Sequence, residues 1–192
     1  MNEIEIYHFT TPDQFKEIQK NGLLPMSLSN GIEFLVANSL HIELPESAFE
    51  NVWYGIHPEH LELWKNNAQY KNTWDKLMTF VAGHQYPRTK ENQIIQLSAK
   101  VPVEHLNVFD FGSLAKTLNI QDMIAKELMR AWAIEEYQDS QVPLTNYRGD
   151  YVLPEIVCSK TISPKNISLN NKFNYHIAQP INDAFLTTIS RD

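Results

Sequence analysis

The sequence predicts an α+β fold in one domain, with strands dispersed around a helical insertion. Three observations predict it. Apolar and polar residues alternate with a period of two near the start, in the middle and near the end of the chain, while the stretches between carry helical spacings of three and four. A length of 192 residues fits one domain, residues 1–192. An apolar share of 43%, with four Trp, eight Tyr and nine Phe, supplies a core without metal or disulfide staples.

Ile4-Glu5-Ile6-Tyr7-His8-Phe9 alternates as a strand with one buried face, and His8 shares that face with Ile4 and Ile6. A helix is expected next. Thr11 is its N-cap, Pro12 occupies its first turn, Gln14 completes a capping box, Phe15 and Ile18 form its apolar stripe, and Gly22 stops it. Gly31 to Val36 reads as a second strand. Leu61, Trp64, Trp74, Leu77, Met78 and Val81 then recur at helical spacing, so these tryptophans are expected in the core and not on a ligand platform.

Gln93 to Val101 returns to alternation, with Ile95, Leu97, Ala99 and Val101 on one face and Pro102 as the stop. Residues 113–138 read as helical, with Ile120, Met123, Ile124, Leu128 and Ala131 or Trp132 in the apolar stripe. Asp139 to Asp150 is polar, contains Pro143, Asn146 and Gly149, and reads as an exposed loop of about a dozen residues, a length often tied to function. Tyr151 to Cys158 is expected to be a strand interrupted by Pro154, which places it at an edge or bulge. Ile162 to Ile167 closes the pattern, and the asparagine-rich tail 168–192 is too weakly patterned to assign.

Charge and cysteine content narrow the function classes. The formal net charge is −7 and Arg88, Arg130, Arg148 and Arg191 are the only arginines, a balance that disfavours nucleic acid as a partner and favours protein or small molecules. Cys158 is the single cysteine and lies in the apolar run Ile156-Val157-Cys158, so a buried thiol is expected and not a nucleophile. No Cys/His cluster has zinc-site spacing, and no metal is expected. No apolar stretch approaches the ~18 residues of a spanning helix, and the start is acidic; a location in the cytoplasm, or delivery into a host cytosol, is the expectation, without a membrane partner.

His8 with Thr10 and Thr11 offers donors for a ribose or an amide. Taken alone, the simpler account is a capping cluster beside a satisfied structural histidine. The run Ile6-Tyr7-His8-Phe9-Thr10-Thr11, a short amphipathic helix and Gly22-Leu23-Leu24-Pro25 resemble the first segment of the ADP-ribosyltransferase superfamily. In its His-Tyr-Glu branch the opening strand carries His followed by a small or hydroxyl residue, and the helix ends in Gly-Leu-x-Pro. Gly31-Ile32-Glu33-Phe34 resembles the branch's second-strand pattern Gly-Ile-Tyr-Phe. Leu153-Pro154-Glu155-Ile156-Val157, followed by Ile162-Ser163-Pro164-Lys165-Asn166-Ile167, resembles the closing strand with its catalytic Glu and Ile-x-Pro-x-x-Ile tail.

The resemblance implies a split β-sheet core that takes NAD as substrate and transfers ADP-ribose to a protein side chain, in a toxin, an effector or a housekeeping enzyme. It implies that His8 bonds a ribose hydroxyl, that the Phe9 backbone holds the nicotinamide carboxamide, that Thr10 assists, and that Glu155 bonds the ribose 2′-hydroxyl. A fixed carboxylate there stabilises the oxocarbenium-like charge that develops as nicotinamide leaves. The pattern departs at Glu33, where the branch has Tyr, so the ring stacked on nicotinamide is sought among Phe34, Trp53 and Tyr54, with Tyr54 favoured. In the resembled family the loop before the Glu recognises the acceptor, which points to Tyr147 and Arg148 here. Arginine-modifying members carry Glu or Gln two residues before the catalytic Glu; Leu153 stands there, which disfavours an arginine acceptor. Two alternatives stay open: an NAD-dependent RNA 2′-phosphotransferase or nucleic-acid ADP-ribosyltransferase, and a catalytically silent binding module. Without the resemblance, Glu155 beside Pro154 reads as a solvated edge charge.

Overall fold

The computed structural model describes residues 2–25, 53–69, 73–83, 91–117 and 123–176. The second strand expected at Gly31 to Val36, and with it Glu33 and Phe34, lies outside these residues.

The chain opens with strand β1 (Glu3–Thr10) and helix α1 (Pro12–Asn21). The helix starts where the sequence signals it. Thr11 Oγ1 accepts from the Gln14 N–H, the Gln14 side chain accepts from the Thr11 N–H in return, and Pro12 sits in the first turn where no N–H is needed. Gly22 ends it at φ 83°, and a Cβ there would lie 2.0 Å from the Ile162 carbonyl oxygen. Leu23 then pairs with Ile162 through two backbone bonds of 3.0 Å, joining the end of α1 to the segment after the last interior strand.

Next come β2 (Trp53–Gly55), a 3₁₀ turn at Pro58–His60, α2 (Leu61–Asn66) and α3 (Thr73–Gly83). Strand β3 (Glu91–Pro102) leads through a turn into β4 (Leu106–Asp110), followed by α4 (Gly112–Thr117) and α5 (Met123–Asp139). The chain continues through β5 (Val142–Pro143), β6 (Pro154–Cys158) and β7 (Ile167–His176). The architecture is α+β with two antiparallel sheets, ordered β1-β3-β7 and β2-β6-β4-β5.

Three sequence expectations are corrected. Strand β6 is interior, flanked by β2 and β4, because Pro154 is its first residue and the missing N–H falls at the end of the ladder. Residues from Ser168 to His176 form most of β7, which pairs with β3 along its length; an edge strand needs few apolar residues, so the asparagines hid it. The inward stripe near the end of α5 runs through Ala133, Ile134 and Tyr137, whereas Trp132 is 41% exposed with the Lys116 ammonium over its ring.

Two cores sit on the two faces of the second sheet. The first packs Ile6, Ala99 and Val101 of one sheet against Trp53, Leu106, Val108, Ile156 and Cys158 of the other, closed by Leu23 and Ile162. Burial pushes the Cys158 thiol up from its ordinary value, as befits the structural role expected of it. The second core packs Ile56 and Leu153 against Trp64 of α2, Leu114 and Ala115 of α4 and the α5 stripe. Strand β3 is buried on both faces from Ile94 to Ala99, and on the side away from the first core Met78 of α3 packs on Ile94 with Phe9, Trp74 and Leu77 around it.

Candidate active site

Among the described residues one backbone bridge joins the two sheets. Tyr7 of β1 and Ile56, the residue after β2, exchange backbone bonds of 2.9 and 2.8 Å. Gly55 permits the approach, since a Cβ there would lie 2.4 Å from Ile6 Cγ2 and 2.8 Å from the Tyr7 carbonyl oxygen. This bridge makes β3-β1-β2-β6 locally one strip, and strand alternation then assigns its faces. Tyr7, Phe9, Tyr54, Ile56 and Glu155 lie on one face; Ile6, His8, Trp53 and Ile156 lie on the other.

Beyond the bridge the strip splits. Phe9 and Thr10 stay paired with β3, and between β1 and β2 the His8 ring takes the place of a backbone rung. Its Nδ1 donates to the Tyr54 carbonyl at 2.8 Å, and its ring meets Trp53 edge-on at 6.2 Å. A carbonyl only accepts, so this bond fixes the proton on Nδ1 and leaves Nε2 an acceptor. Burial holds the imidazole below its ordinary value, against the opposing pull of the carbonyl, so the ring is neutral near pH 7.

The bridge also orients Phe9. Tyr7 turns its N–H and C=O away from β3 toward Ile56, and two residues on, Phe9 does the same. The Phe9 backbone therefore faces the split, where it finds no partner among the described residues. Its side chain is committed to packing, edge-on to Trp74 at 5.2 Å. Thr10 is 2% exposed and its hydroxyl donates to Gln14 Oε1 at 2.9 Å, which places it in the capping network of α1.

Glu155 sits on interior β6 at 9% exposure, so it is no solvated edge charge. Tyr54 opposes Val157 on β6, which makes Tyr54 and Glu155 diagonal neighbours on one face, roughly 7–8 Å apart at Cα. The Tyr137 hydroxyl of α5 donates to Glu155 Oε2 at 2.6 Å. Asp110 holds the entry to β6: its Oδ1 accepts from the Gly112 and Leu153 N–H groups at 2.9 and 3.0 Å, and its Oδ2 from Val152 at 3.3 Å. Trp64 adds a buried bond from Nε1 to the Pro154 carbonyl at 3.0 Å.

The structure thus brings His8, the Phe9 backbone, Tyr54 and Glu155 to one junction, with the His8 and Glu155 side chains rooted on opposite faces of the strip. Tyr147 is on the loop before β6. Its ring packs half-buried against the first core, 4.9 Å from Tyr151 and 5.9 Å from His60, and burial raises its phenol. Arg148 is exposed. The loop that carries them contains β5 and a 3₁₀ turn, Leu144–Asn146.

Sequence reasoning missed Asp110 and Tyr137. Asp110-Phe111-Gly112 carries an Asx-turn signal, Asp accepting from the N–H two residues on. Tyr137 follows Ala133 and Ile134 by four and three residues, the spacing of an inward helix face.

Among the described residues no group of His, Cys, Asp and Glu could hold a metal ion, and no helix is long and apolar enough to cross a membrane. Comparison with protein-family models, with curated proteins and with solved structures finds no match.

Proposed function

We propose that this protein is an NAD-dependent ADP-ribosyltransferase that delivers ADP-ribose to a protein side chain other than arginine. The observation that carries the reading is the junction itself: His8 donates to the Tyr54 carbonyl, and Tyr54 shares a face with Glu155 on the adjacent strand. His8, Tyr54 and Glu155 lie on neighbouring strands although 46 and 101 positions separate them, with Tyr54 offered for the ring that the resembled pattern carries at the position of Glu33.

The chemistry follows from the groups present. His8, neutral and with Nδ1 occupied, accepts a ribose hydroxyl at Nε2. The Phe9 N–H and C=O match the acceptor and donor of a carboxamide, and the Tyr54 ring offers a stacking face. Glu155 bonds the 2′-hydroxyl of the nicotinamide ribose. As the bond from C1′ to the nicotinamide nitrogen breaks, nicotinamide leaves with the electron pair and the carboxylate stabilises the cationic ribose. The acceptor's lone pair then forms the new bond at C1′ and its proton passes to Glu155 or to solvent. Leu153, where an arginine-recognising carboxylate or amide would stand, is fully buried in the second core, which supports an acceptor other than arginine.

The test is nicotinamide release from labelled NAD by purified protein, alone and with cell extract. Labelled protein bands are the expected result, and His8→Ala should abolish the rise in melting temperature that NAD gives the wild type. Label in nucleic acid would favour a nucleic-acid acceptor. No release and no thermal shift at millimolar NAD would sink the reading in favour of a silent module.

A further inference from the structure

We infer that Tyr137 is the positioning residue for Glu155: it fixes the carboxylate that acts on the ribose without itself touching NAD. The inference rests on the reading of Glu155 given above and adds a residue that the resemblance does not supply.

A carboxylate removed from water needs hydrogen-bond donors, and the Tyr137 hydroxyl at 2.6 Å from Oε2 is one of them. The phenol is not free to swing. Its ring is 3% exposed, stacks on Phe109 at 4.9 Å with an interplanar angle of 24°, and meets Phe111 edge-on at 6.3 Å.

Both ends of this hydrogen bond are tied to Asp110. On the phenol side, Ser140 Oγ donates to the Tyr137 carbonyl at 2.5 Å and accepts from the Asp110 N–H at 2.8 Å, which locks the end of α5 to β4. On the carboxylate side, Asp110 Oδ1 accepts from the Leu153 N–H, two residues before Glu155. The frame closes as Asp110, Ser140, Tyr137, Glu155, Leu153 and back to Asp110. Charge stabilisation at a reacting carbon depends on a preset geometry, so a carboxylate held in such a frame needs little reorganisation during the reaction. Hydrogen bonding to the ionised form also favours that form.

Tyr137→Phe in the full chain removes the hydroxyl and keeps the ring stack. The maximal rate of nicotinamide release, kcat, should fall about tenfold or more, less than the roughly 10²–10³-fold of a group that touches the reacting atoms because Tyr137 acts through Glu155, with KM for NAD unchanged because Tyr137 does not touch it. The carboxyl-carbon resonance of Glu155, identified by its loss in Glu155→Gln, should titrate at higher pH in Tyr137→Phe than in wild type. Should Tyr137→Phe fold poorly, 3-fluorotyrosine at position 137 retains the bond with a more acidic phenol and should move that titration to lower pH. An unmoved titration in both overturns the inference, as does a raised KM with kcat intact. A moved titration in a protein that releases no nicotinamide would leave the Tyr137–Glu155 coupling standing and refute the NAD reading instead.

Discussion

Gly55→Ala tests the junction from which the site is built. The added Cβ would lie 2.4 Å from Ile6 Cγ2 and 2.8 Å from the Tyr7 carbonyl oxygen, whereas ordinary contact begins at 3.4 Å. The Tyr7 oxygen belongs to a backbone paired on both sides, so β1 and β2 must part by roughly half an ångström or more. That lengthens the two Tyr7–Ile56 bonds, now 2.9 and 2.8 Å, beyond the usual N–H···O range of about 2.7–3.2 Å. Each bond contributes about 1 kcal/mol net, and overpacking a tight contact costs about 1–3 kcal/mol. With both bonds lost, a total of about 3–5 kcal/mol follows, which for a domain of this size lowers the melting temperature by roughly 6–20 °C. The His8 bond to the Tyr54 carbonyl is strained by the same displacement, so NAD should raise the variant's melting temperature less than the wild type's. Thermal unfolding followed by circular dichroism, with and without NAD, measures both. A variant that melts within about 1 °C of wild type would refute the view that Gly55 is what lets the sheets meet.

Glu155→Gln should keep the fold and much of the NAD affinity while lowering ADP-ribose transfer by about 10²-fold or more, the scale of losing one preorganised electrostatic contact; activity within a few-fold of wild type would remove Glu155 from the mechanism. His8 is held below its ordinary value of 6.5 by burial, and His60 by burial and then by His57, so the unfolded chain binds these protons first. Their contribution is therefore full above about pH 6.5 and is lost as pH falls below it, and urea midpoints should drop between pH 7.5 and 5.5, with a shallower drop in His8→Gln; a flat profile in wild type would contradict this. Tyr147→Ala should lower stability by about 1–3 kcal/mol because its ring packs on the first core, whereas exposed Arg148→Ala should leave stability within about 0.5 kcal/mol of wild type and reduce transfer while sparing NAD hydrolysis. Equal loss of transfer and hydrolysis in Arg148→Ala would take it out of acceptor recognition.

What the sequence by itself determined lies within a few residues of its own signals. The capping box of Thr11, Pro12 and Gln14, the stop at Gly22 and the alternation along β1 and β3 are settled by contacts between near neighbours, so local residue types suffice to read them. Burial of Cys158 was legible for the same reason, from the apolar run around it. Tertiary structure alone decided that β6 is interior despite Pro154, that an asparagine-rich segment pairs with β3, and that Gly55 is where the sheets join. It also placed His8 against a carbonyl 46 residues away and the Tyr137 hydroxyl on a carboxylate 18 residues away. Those outcomes depend on which strand comes to lie beside which. That choice is made by the fit of whole apolar faces across the first and second cores, and no short window of sequence contains both halves of such a fit.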